Sequence, residues 1–242
     1  MMQRKEMQST IIKPAQDLCM LSILMPCLNE ETNVGYCVDQ AMAYLREKKL
    51  SGEVLVVDNG STDQSARIAA MHGADVITED RKGYGCALRR GLAAASGNVI
   101  IFADADSTYD FRHLDPIYKP LIQGEADVLI GNRFTNQMEK GAMPLFHYLG
   151  VPFLSWCGRL KFRTTVHDFH CGIRGIRRDA LEKCNFHTTG MEFATEMIAE
   201  ACRKELEIKE VPVPYSVSQK ARQIKLRPIR DGLRHFWYIL SA

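Results

Sequence analysis

The feature that most constrains the fold is an alternation, from Leu21 onward, of short apolar runs with segments of helical periodicity. The runs LSILM (21–25), VLVV (54–57), NVIIF (98–102) and DVLIG (127–131) predict buried strands. Strands that read as continuous apolar runs are typical of a parallel sheet covered on both faces by crossover helices. The sequence therefore predicts an α/β fold with a doubly wound, Rossmann-like first half, whose ligands bind at the carboxyl ends of the strands.

The signals in the rest of the chain are more local. Ser61 and Gln64 have the spacing of a capping box, which predicts that a helix begins there and ends at Gly73. After Asn132 the regular alternation stops, so a loop-rich and helical second half is expected. In that half the sequence predicts a turn, a helix and a strand, at 167–172, 191–204 and 208–213.

Composition excludes several classes of protein. With 242 residues, of which 46% are hydrophobic and 25% charged, the chain suits one large folded domain, and a disordered or fibrous protein is excluded. The formal net charge of +2 gives no argument for a nucleic-acid partner. Eight cysteines without any C-x-x-C pair favour a reducing compartment over a disulfide scaffold.

Two segments are apolar enough to suggest membrane contact, although neither has the length of a bilayer span. The stretch 141–158 holds no Asp, Glu, Lys or Arg, but two prolines and several glycines are expected to interrupt it. The run 236–240 is aromatic and aliphatic, and the basic residues before it would suit anionic headgroups. The alternative for both segments is packing as core helices.

The strongest local signal for chemistry is Asp104-Ala105-Asp106, directly after the run NVIIF. Residues two apart in an extended chain face the same side, so both carboxylates can converge on one cation at the binding edge of the sheet. Such hard oxygen ligands favour Mg or Mn, which would bind a diphosphate. Asp58, after VLVV, and Glu30, after the first strand, are predicted on the same rim. For any one of these acids, a solvated acidic turn is the alternative.

Two weaker signals lie elsewhere. The run RKGYG (81–85) precedes a predicted helix, so its basic side chains and exposed amides could meet a phosphate. Its glycines are similar to part of a dinucleotide fingerprint, but the third glycine is absent and the run does not follow the first strand. His167, His170 and Cys171 have partial zinc spacing without an evident fourth ligand, which favours a packed polar turn over zinc.

Taken in order, these motifs resemble a known family. The segments that carry the resemblance are 26–30, 58–61, 81–91, 104–106, 131–133 and 168–174. They occur in the order seen in family two glycosyltransferases, and over about residues 20–235 the chain resembles the dolichol-phosphate mannosyltransferase and bacterial polyprenyl-phosphate glycosyltransferase group. The resemblance implies a GT-A fold, which is a Rossmann-like, mostly parallel central sheet flanked by helices, with a loop-rich acceptor-side region. It also implies a nucleotide-diphosphate sugar donor and a divalent cation, Mg or Mn.

The resemblance assigns donor-side roles to five acidic or rim residues. It places Pro26, Glu30 and Asp58 on the nucleoside. It places Asp104 and Asp106 on the metal, with Asp104 also binding the donor diphosphate. The nucleotide itself is left open between uridine and guanosine.

Four further residues receive roles near the phosphates and the reaction centre. Lys82 is expected near the donor phosphates. Arg133 and Arg174 would serve the acceptor phosphate or the leaving diphosphate, and the alternative for each is a charge paired with a nearby acid. Asp168 occupies the position of an acidic residue beside the reaction centre, with a loop cap as its alternative. An ionised phosphate acceptor would need Asp168 only for orientation, whereas a hydroxyl acceptor would make it the candidate base.

The resemblance also divides the chain and implies a location. The expected parts are a flexible leader (1–19), a glycosyltransferase domain (20–235) and the start of a truncated apolar tail (236–242). The domain divides into a nucleotide-sugar-binding half (20–133) and an acceptor half (134–235). We expect an enzyme at the cytoplasmic face of the plasma membrane, with a separate membrane subunit or a second copy of the chain as open alternatives.

Two departures concern the acceptor side. Relatives carry a basic, glycine-rich segment ending in Ser-Lys-Leu after the last strand, whereas this chain keeps only the Lys-Leu within 218–226. Relatives with a similar ending at 230–235 continue into hydrophobic helices. These departures concern the acceptor-side loop, and the reaction that the resemblance implies is inverting transfer to a lipid phosphate. A soluble or polysaccharide hydroxyl acceptor is the alternative, and an inactive nucleotide-binding relative ranks lower because Asp58 and the D-x-D motif are both present.

Overall fold

The structure is a computed structural model that describes residues 20–135, 138–217 and 228–242. Its strands are β1 (Leu21–Cys27), β2 (Gly52–Asp58), β3 (Asp75–Thr78), β4 (Val99–Phe102), β5 (Val128–Asn132), β6 (Arg174–Arg177) and β7 (Ile208–Pro212). Its helices are α1 (Val34–Lys48), α2 (Ser65–Met71), α3 (Tyr84–Ala94), α4 (Asp115–Ile122), α5 (Leu145–Phe162), α6 (Arg178–Leu181), α7 (Phe193–Arg203) and α8 (Pro228–Ser241). The predicted leader 1–19 and the departure at 218–226 lie outside the described residues.

The strands form one sheet in the order β3-β2-β1-β4-β6-β5-β7. Strand β6 is antiparallel to both of its neighbours, whereas the other pairs are parallel. The chain runs from β1 to β2 and β3 on one side and to β4 on the other, so a topological switch point lies between β1 and β4. Open α/β sheets bind ligands at the carboxyl ends of the strands at such a point. The predicted mostly parallel sheet with flanking helices is confirmed.

Burial on both faces of the sheet explains why the strands read as continuous apolar runs. In β1, Leu21, Ile23 and Leu24 are each 0% exposed, and the residues of β4 are equally buried. Helices α1, α3 and α4 pack against the sheet through their own apolar sides. Fully burying one such side chain stabilises the fold by roughly 1.5–3 kcal/mol.

The capping-box prediction is wrong. Helix α2 begins at Ser65, four residues after Ser61. The Ser61 hydroxyl instead accepts a hydrogen bond from the backbone N–H of Asn29 at 2.9 Å, and the Ser65 backbone N–H donates to Asp63 at 2.9 Å. Ser61 therefore joins the end of β1 to the turn after β2, because a long-range partner outcompetes the local cap.

The expected interruption of the stretch 141–158 is also wrong. Helix α5 runs through both Gly150 and Pro152 and ends at Phe162. An interior proline removes one backbone hydrogen bond but does not prevent a helix that packs on its neighbours, and α5 packs against α7 and α8. Within the described residues, none of the helices combines the length and the apolar character that a bilayer span requires.

Candidate active site

The carboxyl edge of the sheet gathers the predicted acidic residues. Asp58 ends β2 and Asp104 follows β4, so these two acids come from the strands on either side of β1. The register confirms the proximity of the strand ends, because Cys27 lies opposite Asp58 and the backbone N–H of Ala103 donates to Leu24 at 3.1 Å. The sheet therefore places these two acids at strand ends on either side of the carboxyl end of β1.

The D-x-D segment is shaped by its own local bonds. Ala105 is 1% exposed and packs in the core, whereas Asp104 is partly exposed. One oxygen of the buried Asp106 carboxylate, Oδ1, accepts hydrogen bonds from the backbone N–H and the hydroxyl of Thr108, at 3.1 and 2.5 Å. On its other side, Asp104 lies against Gly172, where a methyl group would be 2.7 Å from Asp104 Oδ2. The absence of a side chain at Gly172 leaves the carboxylate its space.

The donor set fits Mg or Mn. Carboxylate oxygens are hard ligands, and both metals bind proteins through one or two carboxylates together with substrate phosphates. In the described part of the chain no three His, Cys, Asp or Glu side chains converge as a metal cluster. Asp104 and Asp106 thus suit a cation whose remaining ligands come from a diphosphate and water.

The rim residues of β1 and β2 are fixed by short-range bonds. The Asp58 carboxylate accepts from the backbone N–H of Ser61 at 3.2 and 3.3 Å, and Glu30 accepts from the Asn33 side chain at 3.2 Å. Both acids are less than 10% exposed. Pro26 lies in β1 opposite Val57, one residue before the end of the strand. These contacts fix the two carboxylates at the carboxyl edge of the sheet.

Lys82 reaches the same turn from the other direction. Its ammonium donates to the backbone carbonyls of Asn59 and Gly60, at 3.1 and 2.9 Å. The lysine thus places a positive charge directly beside the turn that follows Asp58. This position is compatible with the predicted role near donor phosphates.

Packing explains the glycines of RKGYG better than a dinucleotide fingerprint does. The backbone N–H of Gly83 donates to the Asn59 side chain at 2.7 Å, and that of Cys86 donates to the Thr189 carbonyl at 3.3 Å. Gly83 has φ +137°, and any side chain there would collide with the Thr189 carbonyl. The segment therefore lies pressed between the turn after β2 and the loop 188–190.

Arg133 and Asp168 form a buried pair. Nε and one terminal nitrogen of Arg133 each donate to Asp168 at 2.8 Å, and the Arg133 backbone N–H donates to it at 3.1 Å. Asp168 is 0% exposed and also accepts from the backbone N–H of His170. Burial alone lowers the pKa of Arg133, but the charge of Asp168 and its hydrogen bonds outweigh that effect and raise the pKa above its usual value. Arg133 is therefore charged at neutral pH, and its hydrogen bonds to Asp168 hold the two side chains in place.

The sequence analysis assigns Arg174 to phosphate binding. In the structure its guanidinium instead donates hydrogen bonds to backbone carbonyls. Its three nitrogens donate to the carbonyls of Cys171, Ala194 and Phe169, at 2.9, 2.6 and 2.6 Å, and the side chain is 1% exposed. Here Arg174 holds the loop 168–172 to the start of α7. The buried cation still lies close enough to Tyr84 to lower the pKa of that tyrosine, against the larger opposing effect of burial.

The three residues with zinc-like spacing turn to different partners. His167 pairs with Glu210 at 3.0 Å, and the Cys171 thiol lies 3.7 Å from the Tyr109 hydroxyl. The ring of His170 packs edge-on against the ring of His235, with the two ring centroids 4.3 Å apart. The packed polar turn, the alternative to zinc, is the arrangement seen.

Three residues that sequence reasoning missed organise the site. Burial raises the pKa of Tyr84 well above its usual value, and the negative charge of the nearby Asp104 adds to that effect. The Tyr109 hydroxyl accepts a hydrogen bond from the backbone N–H of Gly172 at 2.8 Å. Glu196 accepts from the backbone N–H groups of His187 and Thr188, which fixes the loop that contacts Gly83. The sequence signal for Tyr84 is an aromatic residue between two glycines. Tyr109 lies 63 positions from Gly172, and the partners of Glu196 lie eight and nine positions before it, so neither contact follows a local pattern.

Comparison with known proteins identifies the family. The family described as Glycosyl transferase family 2 matches residues 22–184, which is more than half of the chain and includes Asp58, Asp104, Asp106 and Asp168. The chain belongs to glycosyl transferase family 2. It is accordingly a glycosyltransferase domain, as the order of its motifs predicts.

Two relatives in this family come from Haloferax volcanii. A low-salt glycan biosynthesis hexosyltransferase is 40% identical over 221 residues, which are 91% of this chain and 53% of that protein. The chain thus spans about half the length of that relative. A dolichyl-phosphate hexose transferase is 30% identical over 212 residues, which are 88% of this chain and 89% of that protein. The resemblance to the dolichol-phosphate group of family 2 is confirmed.

Solved structures confirm the GT-A fold. Glucosyl-3-phosphoglycerate synthase from Mycobacterium tuberculosis, in complex with Mn²⁺, UDP and glucosyl-3-phosphoglycerate, superimposes with a TM-score of 0.73. The two proteins are 23% identical, and the alignment covers 92% of this chain and 79% of the synthase. At that identity the likeness supports the fold alone.

Proposed function

We propose that the chain transfers a hexose, with inversion, from a nucleotide-diphosphate sugar to a polyprenyl or dolichyl phosphate, with the help of Mg or Mn. The observation that carries the donor side is the position of Asp104 and Asp106 at the switch point of the sheet, with Asp58 at the end of β2 on the other side of β1. Membership of family 2 and the named dolichyl-phosphate hexose transferase support the reaction class.

The donor would lie along the carboxyl edge. Pro26, Glu30 and Asp58 would contact the nucleoside, and Lys82 would balance part of the diphosphate charge. When bound, the cation on Asp104 and Asp106 would neutralise charge developing on the departing diphosphate. We expect this to be the largest single contribution to stabilising the transition state. Carboxylates alone would repel a diphosphate, so a cation is needed at this edge.

The acceptor side would be organised by Arg133 and Asp168. A phosphate acceptor is already largely ionised at neutral pH, since its second pKa is about 6, and it needs no strong base. Asp168 makes its bonds to Arg133 in the structure, which suits orientation better than proton removal. Arg133 would then present positive charge toward the acceptor phosphate or the leaving diphosphate. Arg174 would act there through the loop that it holds.

An exposed apolar surface supports a lipid acceptor. Helices α5 and α8 pack side by side and expose large apolar side chains, namely Tyr148, Leu149, Phe153, Trp156, Leu160, Leu233, Trp237 and Leu240. We call these eight residues the α5/α8 apolar surface. Helix α5 contains Arg159 and Lys161 but no acidic residue. Aromatic and aliphatic side chains beside basic ones suit an anionic membrane interface, so we propose peripheral binding at the cytoplasmic face of the plasma membrane.

A soluble or polysaccharide hydroxyl acceptor is the second candidate. The synthase of similar fold was solved in complex with glucosyl-3-phosphoglycerate, so the fold itself is compatible with a small soluble ligand. The donor side would be the same for both acceptors. With a hydroxyl acceptor, Asp168 would have to serve as the base, and it would first have to leave its bonds to Arg133.

Calorimetric titration of the protein with UDP and GDP, each with and without Mn²⁺, tests the donor site. We expect binding of one nucleotide that depends on the metal, and a loss of at least about tenfold, or 1.4 kcal/mol, in Asp104→Asn. Asp110→Asn is the matched control, because Asp110 lies six residues further on and pairs with His113 at the surface. Absence of binding to either nucleotide would leave an inactive relative as the better description.

Transfer itself is tested with the preferred donor and two acceptors. The proposal expects labelled sugar on a polyprenyl phosphate in detergent or vesicles. Transfer only to a sugar hydroxyl or to a small soluble phosphate would replace the lipid acceptor by the second candidate.

A further inference from the structure

We propose that Tyr215 is a positioning residue for Arg133: its ring covers one face of the guanidinium and so fixes the direction in which Arg133 meets the phosphate of the acceptor. The inference rests on the proposed function, because it takes Arg133 as part of the acceptor side. Neither the donor-side nor the acceptor-side assignments use Tyr215.

The carboxyl edge of the sheet brings the two side chains together. Strand β7 pairs in parallel with β5, so the residues that follow both strands lie at the same edge. Arg133 comes directly after β5, and Tyr215 comes three residues after β7. The guanidinium carbon of Arg133 lies 5.3 Å from the centroid of the Tyr215 ring. A cation within about 6 Å of a ring centroid is attracted by the face of the ring.

Asp168 and Tyr215 constrain the guanidinium in different directions. Asp168 accepts from Nε and one terminal nitrogen of Arg133, each at 2.8 Å, which fixes the guanidinium within its own plane. The Tyr215 ring lies over the face and opposes tilting out of that plane. The hydrogen bonds that Arg133 makes to the described residues leave its other terminal nitrogen, Nη1, to donate elsewhere. Because the guanidinium is planar, Nη1 lies on the side opposite Asp168, where a phosphate oxygen can accept from it.

Tyr215 is itself held from several sides. It is 7% exposed, and its ring packs against Tyr109 with the two ring centroids 5.4 Å apart. Its carbonyl accepts from the backbone N–H of Glu139 at 2.9 Å. The next backbone N–H, that of Ser216, donates to the Thr108 carbonyl at 3.2 Å. The ring therefore presents a fixed face to the arginine.

The same supports connect the stacked pair to the donor side. The Thr108 hydroxyl donates to the Asp106 carboxylate, and the Tyr109 hydroxyl accepts from the backbone N–H of Gly172. Tyr215 thus lies between Arg133 and the D-x-D segment. Transfer between two bound molecules needs both to be held at a fixed separation, which this arrangement would provide.

The position of Arg133 favours the acceptor phosphate over the leaving diphosphate. Asp104 and Asp106 follow β4, and Lys82 reaches the turn after β2. Strand β6 lies between β4 and β5, so Arg133 is one strand further from the switch point than the D-x-D segment. The acceptor phosphate would therefore approach from the β5 side of the sheet.

The experiment measures the affinity of the full chain for farnesyl phosphate, a polyprenyl monophosphate, by calorimetric titration with Mn²⁺ and UDP or, separately, GDP. Tyr215→Leu removes the ring, whereas Tyr215→Phe keeps the ring and removes only the hydroxyl. Thermal unfolding of each variant reports any purely structural effect. Tyr215→Met, which also lacks the ring, repeats the test if Tyr215→Leu does not fold.

Tyr118→Leu is the matched control. Tyr118 is a tyrosine of similar burial, 8% exposed, on α4. Among the described residues, cations lie over the rings of Tyr44 and Tyr215 and over no other tyrosine ring. The control therefore removes a buried tyrosine without removing a stacked cation.

The expected result is about tenfold weaker binding of farnesyl phosphate in Tyr215→Leu, with wild-type binding in Tyr215→Phe and Tyr118→Leu. Nucleotide affinity with Mn²⁺ should be unchanged in all three variants, because the backbone bond from Ser216 to the donor side remains.

Three outcomes would contradict the inference and leave the proposed function standing. They are equal farnesyl phosphate affinity in wild type and Tyr215→Leu, an equal loss in Tyr215→Phe and Tyr215→Leu, and a loss confined to nucleotide affinity. Wild-type protein that binds a nucleotide with Mn²⁺ but no farnesyl phosphate would overturn the lipid acceptor, and the role of Tyr215 with it.

Discussion

At the scale of single residues, Asp168 and Asp104 differ in what surrounds them. Asp168 is fully buried, and Arg133 and the backbone of His170 supply its hydrogen bonds. Asp104 is partly exposed and lies at the carboxyl edge. A buried carboxylate with a bidentate arginine is a fixed charge, whereas an exposed one can accept a cation.

Replacing Asp168 by Asn tests this difference. The variant leaves the charge of Arg133 buried and unpaired, so we expect the free energy of unfolding to fall by about 3–5 kcal/mol. Residual transfer activity should be reduced by the same factor at every pH, because Asp168 orients Arg133 and takes no proton. The measurements are urea unfolding and the initial rate between pH 5.5 and about 9, the range in which a base with a pKa near the operating pH would be seen.

A surface pair provides the control for this variant. Asp179 accepts two bonds from Arg177 and is more than half exposed, so Asp179→Asn should cost less than about 1 kcal/mol. If the activity of Asp168→Asn instead loses the acidic limb of the wild-type pH profile, the base role and a hydroxyl acceptor gain support.

At the scale of elements, helices α5 and α8 carry apolar residues on two sides. One side packs into the protein, as His235 and Ile239 of α8 do at 4% and 2% exposure. The other side forms the α5/α8 apolar surface, in which Trp156 and Trp237 are 50% and 67% exposed. Large exposed apolar patches on folded proteins commonly mark sites that bind other proteins or membranes.

Liposome flotation tests the surface. We expect the wild-type protein to float with vesicles containing phosphatidylglycerol at low salt, and less so at high salt because screening weakens the contribution of Arg159 and Lys161. The double variant Trp156→Ser with Trp237→Ser should lose at least about tenfold in partitioning, since each indole contributes more than 1.4 kcal/mol when buried in the interface.

Met71→Ser is the matched control for flotation. Met71 is 74% exposed on α2, outside the α5/α8 apolar surface, so its loss should leave partitioning unchanged. Wild-type protein that stays at the bottom of the gradient at both salt concentrations would contradict membrane binding.

At the scale of the whole molecule, the later part of the chain completes the sheet begun by the earlier part. Strand β6 inserts between β4 and β5, and β7 pairs with β5. Helix α8 then packs on α7, where His235 Nδ1 lies 2.8 Å from the Thr195 hydroxyl. The acceptor-side residues are thus built into the same core as the donor edge.

The buried His235 makes the stability of this core sensitive to acid. The pKa of His235 is lowered from 6.5 to about 4, chiefly by burial; the charge of Glu192 opposes this effect, and the charges of Arg174 and Arg234 add to it. The unfolded chain binds a proton here below about pH 6.5 and the folded one only below about 4, so stability falls as the pH falls through that window. We expect wild type to lose roughly 2 kcal/mol more than His235→Asn between pH 8 and pH 5, measured by urea unfolding. Parallel losses in the two proteins would show that His235 is not the group responsible.

The amino-acid sequence by itself determined the sheet and the acidic edge. Strands β1, β2, β4 and β5 are buried on both faces, so their apolar runs could be read directly, and an acid just after such a run has to lie at the carboxyl edge. The order of the motifs also pointed to the family.

Only the tertiary structure decided how the edge is supported. Ser61 leaves its local cap for Asn29, α5 runs through Pro152, and β6 enters the sheet antiparallel. Asn59 and Gly83 are twenty-four positions apart, and Arg133 and Asp168 are thirty-five apart. Local propensity and periodicity act over a few residues, whereas these pairs form only because the sheet brings distant segments together, which is why no local pattern predicted them.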